Sequence, residues 1–134
     1  MTMPIVYVDR SDVRPGKAAD LRRAVSDLVE FVQDREPQLI SYGFHIDSEA
    51  STMTVVAVHP DSVSLELHLD IGGPEFRKMG QFITLRQIEV FGEPSELALQ
   101  RLHEKARTLG GAALTVRPVD AGFGRVSSAN SKAR

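Results

Sequence analysis

The chain has 134 residues, 42% of them hydrophobic and 25% charged, with sixteen Lys and Arg against eighteen Asp and Glu for a formal charge of -2. This is one domain's worth of ordinary globular sequence, and it leaves no surplus of positive charge to neutralise a phosphate backbone, so nucleic acid is not an expected partner. Cysteine is absent, which removes disulfides, thiol nucleophiles and thiolate-held metal centres together.

The start of the chain, Met1 to Arg10, carries β-branched and aromatic residues and lacks the basic and apolar regions of a signal peptide. No uncharged apolar run approaches the ~18 residues that span a bilayer, so a cytoplasmic protein without membrane contact is expected. Residues 4–10 read as a strand, and Asp12-Val13-Arg14-Pro15-Gly16 as the turn after it. From Lys17 to Glu36, Leu21, Ala24, Val25, Leu28 and Val32 recur at spacings of three and four with charges between them. That pattern predicts an amphipathic helix stopped by Pro37. Residues 38–47 and 53–59 are strand-like and joined by a polar turn, with Ile40, Tyr42, Phe44 and Ile46 on one face of the first.

Val63, Leu65, Leu67 and Leu69 alternate with polar residues, which locally argues a strand, whereas Asp61 or Ser62 can cap a helix. The order of elements decides for a helix. Gly72-Gly73-Pro74 is then expected to break it as a hinge, with a short second helical piece around Phe76, Met79, Phe82 and Ile83. Residues 84–91 give a fourth strand. Ser95 caps a third helix with Leu97, Ala98, Leu102, Ala106 and Leu109 on its apolar face, ended by Gly110-Gly111. Residues 112–119 suit an edge strand, where Pro118 is tolerated, and the tail from Ser127 is polar and loose.

The order β-α-β-β-α-β is the ferredoxin-like arrangement. The chain also resembles the antibiotic-biosynthesis monooxygenase family. Glu36-Pro37-Gln38-Leu39-Ile40-Ser41-Tyr42 looks like that family's Glu-Pro-Gly-x-x-x-Tyr, and His68 and Pro74-Glu75-Phe76 stand near the positions of its second-helix His and its Pro-His-Phe. Two positions depart: His59 replaces the family's Trp, and Glu75 replaces the second His. Haem-degrading relatives use an Asn on the first strand, where this chain offers Tyr7 and Asp9, which disfavours haem chemistry.

The resemblance implies an α+β fold with an antiparallel sheet, paired in a dimeric α+β barrel. Residues 1–92 would form the family-like domain, and residues 93–134 a helix-strand extension and tail within the same globule. One layer of helices leaves the other sheet face for a partner, so a homodimer or higher homo-oligomer is expected.

The resemblance further implies cofactor-independent oxygenation of a small aromatic or polyketide-type substrate. His68 and His59 are the candidates for proton transfer, although each can equally be a histidine satisfied by its surroundings. Tyr7 and Tyr42 read evenly as ligand-orienting groups or core, and Phe44, Phe76, Met79 and Phe82 as lining of an apolar cavity or simple packing. Glu89 and Arg86 on the fourth strand suit cross-strand ion pairs or dimer contacts. The histidines show no metal-ligand spacing, so no metal is expected, and the resemblance implies no other cofactor. The alternative is a non-catalytic ligand-binding or oligomer-forming protein on the same fold.

Overall fold

The computed structural model describes residues 3–125. Its elements run β1 (Ile5–Val13), α1 (Ala18–Arg35), β2 (Ser41–Asp47), β3 (Thr52–His59), α2 (Ser62–Lys78), a 3-10 turn (Met79–Gln81), β4 (Ile83–Phe91), α3 (Glu96–Thr108) and β5 (Ala113–Arg117). The sheet order is β2-β3-β1-β4-β5. β1 pairs antiparallel with β3 and β4, and β2 with β3. β5 adds to the free edge of β4 in parallel, which makes the otherwise antiparallel sheet mixed. A parallel neighbour needs a crossover, and α3 supplies it.

Burial alternates along the central strands as a sheet covered on one face requires. Ile5, Tyr7, Asp9 and Ser11 of β1 are buried, with Met53, Val55, Ala57 and His59 of β3 beside them. Leu21, Leu28 and Val32 of α1, Leu65 and Phe76 of α2, and Ala98 and Leu102 of α3 close over this face in one continuous core. The intervening Val6, Val8, Val56 and Val58 lie on the opposite face, half-buried. Among the described residues no helix is long and apolar enough to cross a membrane.

Several expectations need correction. β1 continues through Asp12 and Val13, which were read as a turn. Their partners Thr84 and Ile83 on β4 extend the ladder, so pairing outlasts the local turn signal. β2 begins at Ser41 rather than Gln38. Gly72-Gly73-Pro74 breaks nothing, since α2 runs through it to Lys78. The reason is the buried stripe Leu65, Leu69, Gly72, Phe76, which keeps one face of α2 against the sheet across the glycines and overrides their poor helix propensity. Phe76 therefore belongs to α2, and Met79 to the 3-10 turn that follows. Leu97, placed on the apolar face of α3, is 40% exposed; that face instead carries Ala98, Leu102 and Ala106. The tail expected from Ser127 lies outside the described residues.

The caps follow simple hydrogen-bond accounting. Asp61 accepts from the backbone N–H of Ser64, and Ser95 from that of Ala98, each satisfying one free donor in a first helical turn. α3 ends in a left-handed turn in which Gly111 and Ala112 both donate to the carbonyl of Ala106.

Candidate functional site

Between the helices and the sheet lies a cavity with about 30 Å³ of free volume, room for roughly two water molecules. Its floor is the buried stripe Tyr7, Asp9 and Ser11, three residues at alternate positions of β1. His68 and Phe76 come from α2, Tyr42 and Phe44 from β2, and Lys105 from α3. Polar groups on the inner face of a sheet need partners, and here they form two groups.

The first group centres on His68, which is 2% exposed. Its Nδ1 lies 2.8 Å from Oε1 and 3.0 Å from Oε2 of Glu36, the buried residue just after α1. Nε2 makes no hydrogen bond among the described residues. The imidazole ring stands 5.0 Å from that of Phe76, 5.1 Å from Tyr42 and 5.3 Å from His59, centroid to centroid. Burial pushes the Glu36 carboxyl up to about 7. It holds His68 down at about 3, with the Lys105 charge adding to the effect. His59 lies behind His68, fully buried, with Nδ1 2.8 Å from the hydroxyl of Ser64 and Nε2 without a partner. Burial lowers it to about 3 as well.

The second group centres on Asp9. The Tyr7 hydroxyl donates to its Oδ2, and Lys105 Nζ stands 3.5 Å from the same oxygen. Lys105 also lies 4.2 Å from the centre of the Phe76 ring and 4.8 Å from that of Tyr7. Burial raises the Asp9 carboxyl and lowers the Lys105 amine, each opposed by the other's charge. Both tyrosine hydroxyls are pushed well above their usual range, chiefly by burial. Ser11 Oγ, also on the cavity floor, has no hydrogen-bond partner.

Of the residues singled out from sequence, Tyr7, Tyr42, Phe44, His68, Phe76 and Met79 line the cavity together. His59 touches it only through His68, and Phe82 is not among its walls. Glu89 sits on the opposite sheet face, bonded to Arg10 and, at 2.8 Å, to Arg117; the Arg10 hydrogen bond does most to keep its carboxyl below the usual range. Arg86 pairs with Asp12 at 2.7 Å. Among the described residues no three His, Asp or Glu side chains converge as a metal site would need.

Asp9, Ser11 and Lys105 were not singled out, yet each carried a signal. Asp9 and Ser11 continue the period-two stripe begun by Ile5 and Tyr7. Lys105 falls on the inner helical stripe Ala98, Leu102, Leu109 by its spacing of three and four.

Comparison with known proteins places this architecture. MupZ from Pseudomonas fluorescens superposes with a TM-score of 0.70 at 14% identity, covering 92% of this chain and 96% of its own. SnoaB, a cofactor-independent oxygenase from Streptomyces nogalater, gives 0.58 at 17% identity over 72% of this chain and 98% of its own. A candidate antibiotic biosynthesis monooxygenase from Caulobacter crescentus gives 0.57 at 24% identity, over 65% of this chain and 86% of its own. The likeness is one of fold, and it is the ferredoxin-like α+β fold expected from the sequence. No family model matches the chain, and no curated protein matches it at a significant level.

Proposed function

We propose that the helix–sheet cavity takes a small aromatic molecule with an acidic C–H or O–H group, and that the protein oxygenates it without a cofactor. The observation that carries this reading is His68: a buried imidazole held at Nδ1 by Glu36 and lining the cavity beside the Tyr42 and Phe76 rings. With Glu36 ionised, the carboxylate accepts Nδ1–H and leaves the Nε2 lone pair to take a proton, the division of labour of a carboxylate–histidine pair in general-base catalysis. For an anthrone, His68 removes one proton of the reactive CH2, the carbon's electron pair passes to O2 and a C–O bond forms. The O–O bond then breaks as the second proton leaves, giving the quinone and one water. Likeness in fold to SnoaB, described as a cofactor-independent oxygenase, supports this reading.

Below about pH 7 Glu36 holds a proton. It then donates to Nδ1, and the imidazole proton resides on Nε2, where it blocks the base. Oxygen consumption with anthrone should therefore rise through an apparent midpoint near pH 7, Glu36→Gln should flatten that rise, and His68→Ala should bring turnover to the uncatalysed rate. Equal turnover in His68→Ala and wild type sinks the assignment. Glu36 acts through His68 and is a positioning residue.

The size of the cavity favours a second reading. Space for about two waters does not admit a tricyclic molecule unless a wall moves. Tyr42 and Glu36 also border a wider surface groove of about 320 Å³ between α1 and β2. A protein that binds such molecules without converting them would show ligand-induced thermal stabilisation and no turnover. In either reading, residues 93–125 belong to the same globule as residues 3–92, and a second copy covers the open face of the sheet.

A further inference from the structure

The chemistry above uses the His68 end of the cavity and leaves the charge at its other end without a task. An ammonium carries three donors. Asp9 takes one of those of Lys105 at a long 3.5 Å, and the Phe76 and Tyr7 rings attract the charge without accepting a conventional hydrogen bond. Asp9 is itself divided between Lys105 and the Tyr7 hydroxyl. A purely structural pair would be better replaced by apolar side chains in so dry a place. Here it lies on a cavity wall instead: Lys105, with its side chain 12% exposed, borders both the inner cavity and a cleft of about 80 Å³ between α2 and α3.

We propose that Lys105 anchors the anionic oxygen of the ligand, and that the ligand class is a planar hydroxyaromatic bound as its phenolate or enolate. This rests on reading the helix–sheet cavity as the ligand site. It adds a cation to the base: His68 takes the proton, and Lys105 holds the negative charge that develops, in surroundings where water does not screen it. Phe76 stands between the two and supplies a ring on which a flat ligand stacks. Around Lys105, its carboxylate partner Asp9 and the Tyr7 ring approach from β1, and His68 from α2. At the cleft rim stand Arg77 of α2 and, on α3, Arg101, which is tied to Asp70 and Glu104. Because α3 supplies Lys105, the segment following β4 becomes part of the site rather than an appendage.

The test uses 1,8-dihydroxyanthraquinone, already at the oxidation level of a product, so that its binding is read independently of turnover. Its visible absorption moves to the red on ionisation. With excess wild-type protein, its ionisation midpoint should fall by about one pH unit or more, a tenfold change in equilibrium. Lys105→Met should abolish that fall, and His68→Ala should keep it while losing oxygenation. Since Lys105→Met strands Asp9 and can unfold the protein, the charge-neutral double variant Asp9→Asn/Lys105→Met repeats the measurement in a cavity with neither charge. It too should lose the shift while melting cooperatively. A wild type that neither binds the dye nor lowers its midpoint overturns the proposal, as does an unchanged shift in a folded variant lacking Lys105. A dye shift that depends on Lys105 without any anthrone oxidation retains the anchor and removes the oxygenase reading alone.

Discussion

Protonation of three buried side chains around His68 sets how the stability of the fold answers pH. His59 and His68 titrate near 3 in the folded protein against an ordinary value near 6.5, so between these limits the unfolded chain binds two protons that the folded one refuses. Each contributes a slope of about 1.4 kcal/mol per pH unit, with stability falling as pH drops below 6.5. Glu36 works the other way. Its carboxyl is raised to about 7, so its contribution is full below the ordinary value of 4.5 and is lost as pH rises through 7. From 4.5 to about 6 the two histidines outweigh it by one proton, and stability should peak near pH 7, where the fading histidine slope meets that of Glu36. Urea midpoints across pH 3–8 check this: His59→Gln should remove one histidine's share of the acid slope, and an unchanged slope would mean that His59 titrates normally in the fold. The same residues show what sequence reveals at this scale. His68 and Tyr42 stand in a quotable pattern, but Glu36 on Nδ1 and Lys105 beside Asp9 are meetings of distant chain segments that no local spacing encodes.

At the scale of the element, the glycines of α2 and the end of α3 carry the most testable geometry. A Cβ on Gly72 would lie 2.8 Å from both Cε atoms of Phe76 and closer still to Cζ, so the bare helix surface there is what lets the ring lie flat against its own helix, one turn back. Gly72→Ala should drive Phe76 off its seat against His68 and Lys105, costing about 1–3 kcal/mol as overpacking does. Phe76→Leu in the same background should restore part of the loss in urea unfolding. At the end of α3, Gly110 has φ +135°, and a Cβ there would meet Leu85 O at 3.1 Å and Thr84 Cγ2 at 2.9 Å. Its neighbour Gly111, at φ +72°, faces open space. Gly110→Ala should therefore cost about 2–3 kcal/mol against about 1 for Gly111→Ala; equal losses would show that the turn reshapes freely. Element identity was readable wherever periodicity was long, as in α1. It was not readable where burial on one helix face runs through residues that locally signal a break, as at Gly72-Gly73-Pro74, nor where pairing outlasts a turn signal, as at Asp12-Val13.

The whole molecule presents a sheet with two unequal faces. Three helices cover one. The other carries Val6 and Val8 of β1 directly opposite Val58 and Val56 of β3, a contiguous square of four half-buried valines. Beside it lie the 37% exposed Phe91 and the ion group Arg10, Glu89 and Arg117. The order of the first four strands followed from the order of elements, because a β-α-β-β-α-β chain with right-handed crossovers admits few alternatives. The parallel seat of β5 did not, since its sequence names no neighbour. A second copy laid face to face would bring two valine squares together at the usual ~10 Å sheet spacing, while the ion group remains toward the β4–β5 side. The wild-type protein should thus scatter light as a dimer at micromolar concentration. Val56→Lys puts an ammonium at one corner of the valine square, where each copy would meet the charge of the other, and should give a folded monomer with an unaltered far-ultraviolet spectrum. Thr115→Lys, at the edge strand outside the square, should leave the dimer intact at the same concentration. A wild-type monomer, or a Val56→Lys dimer, would mean that this face is covered by something other than its own copy, and that the helix–sheet cavity operates within a single chain.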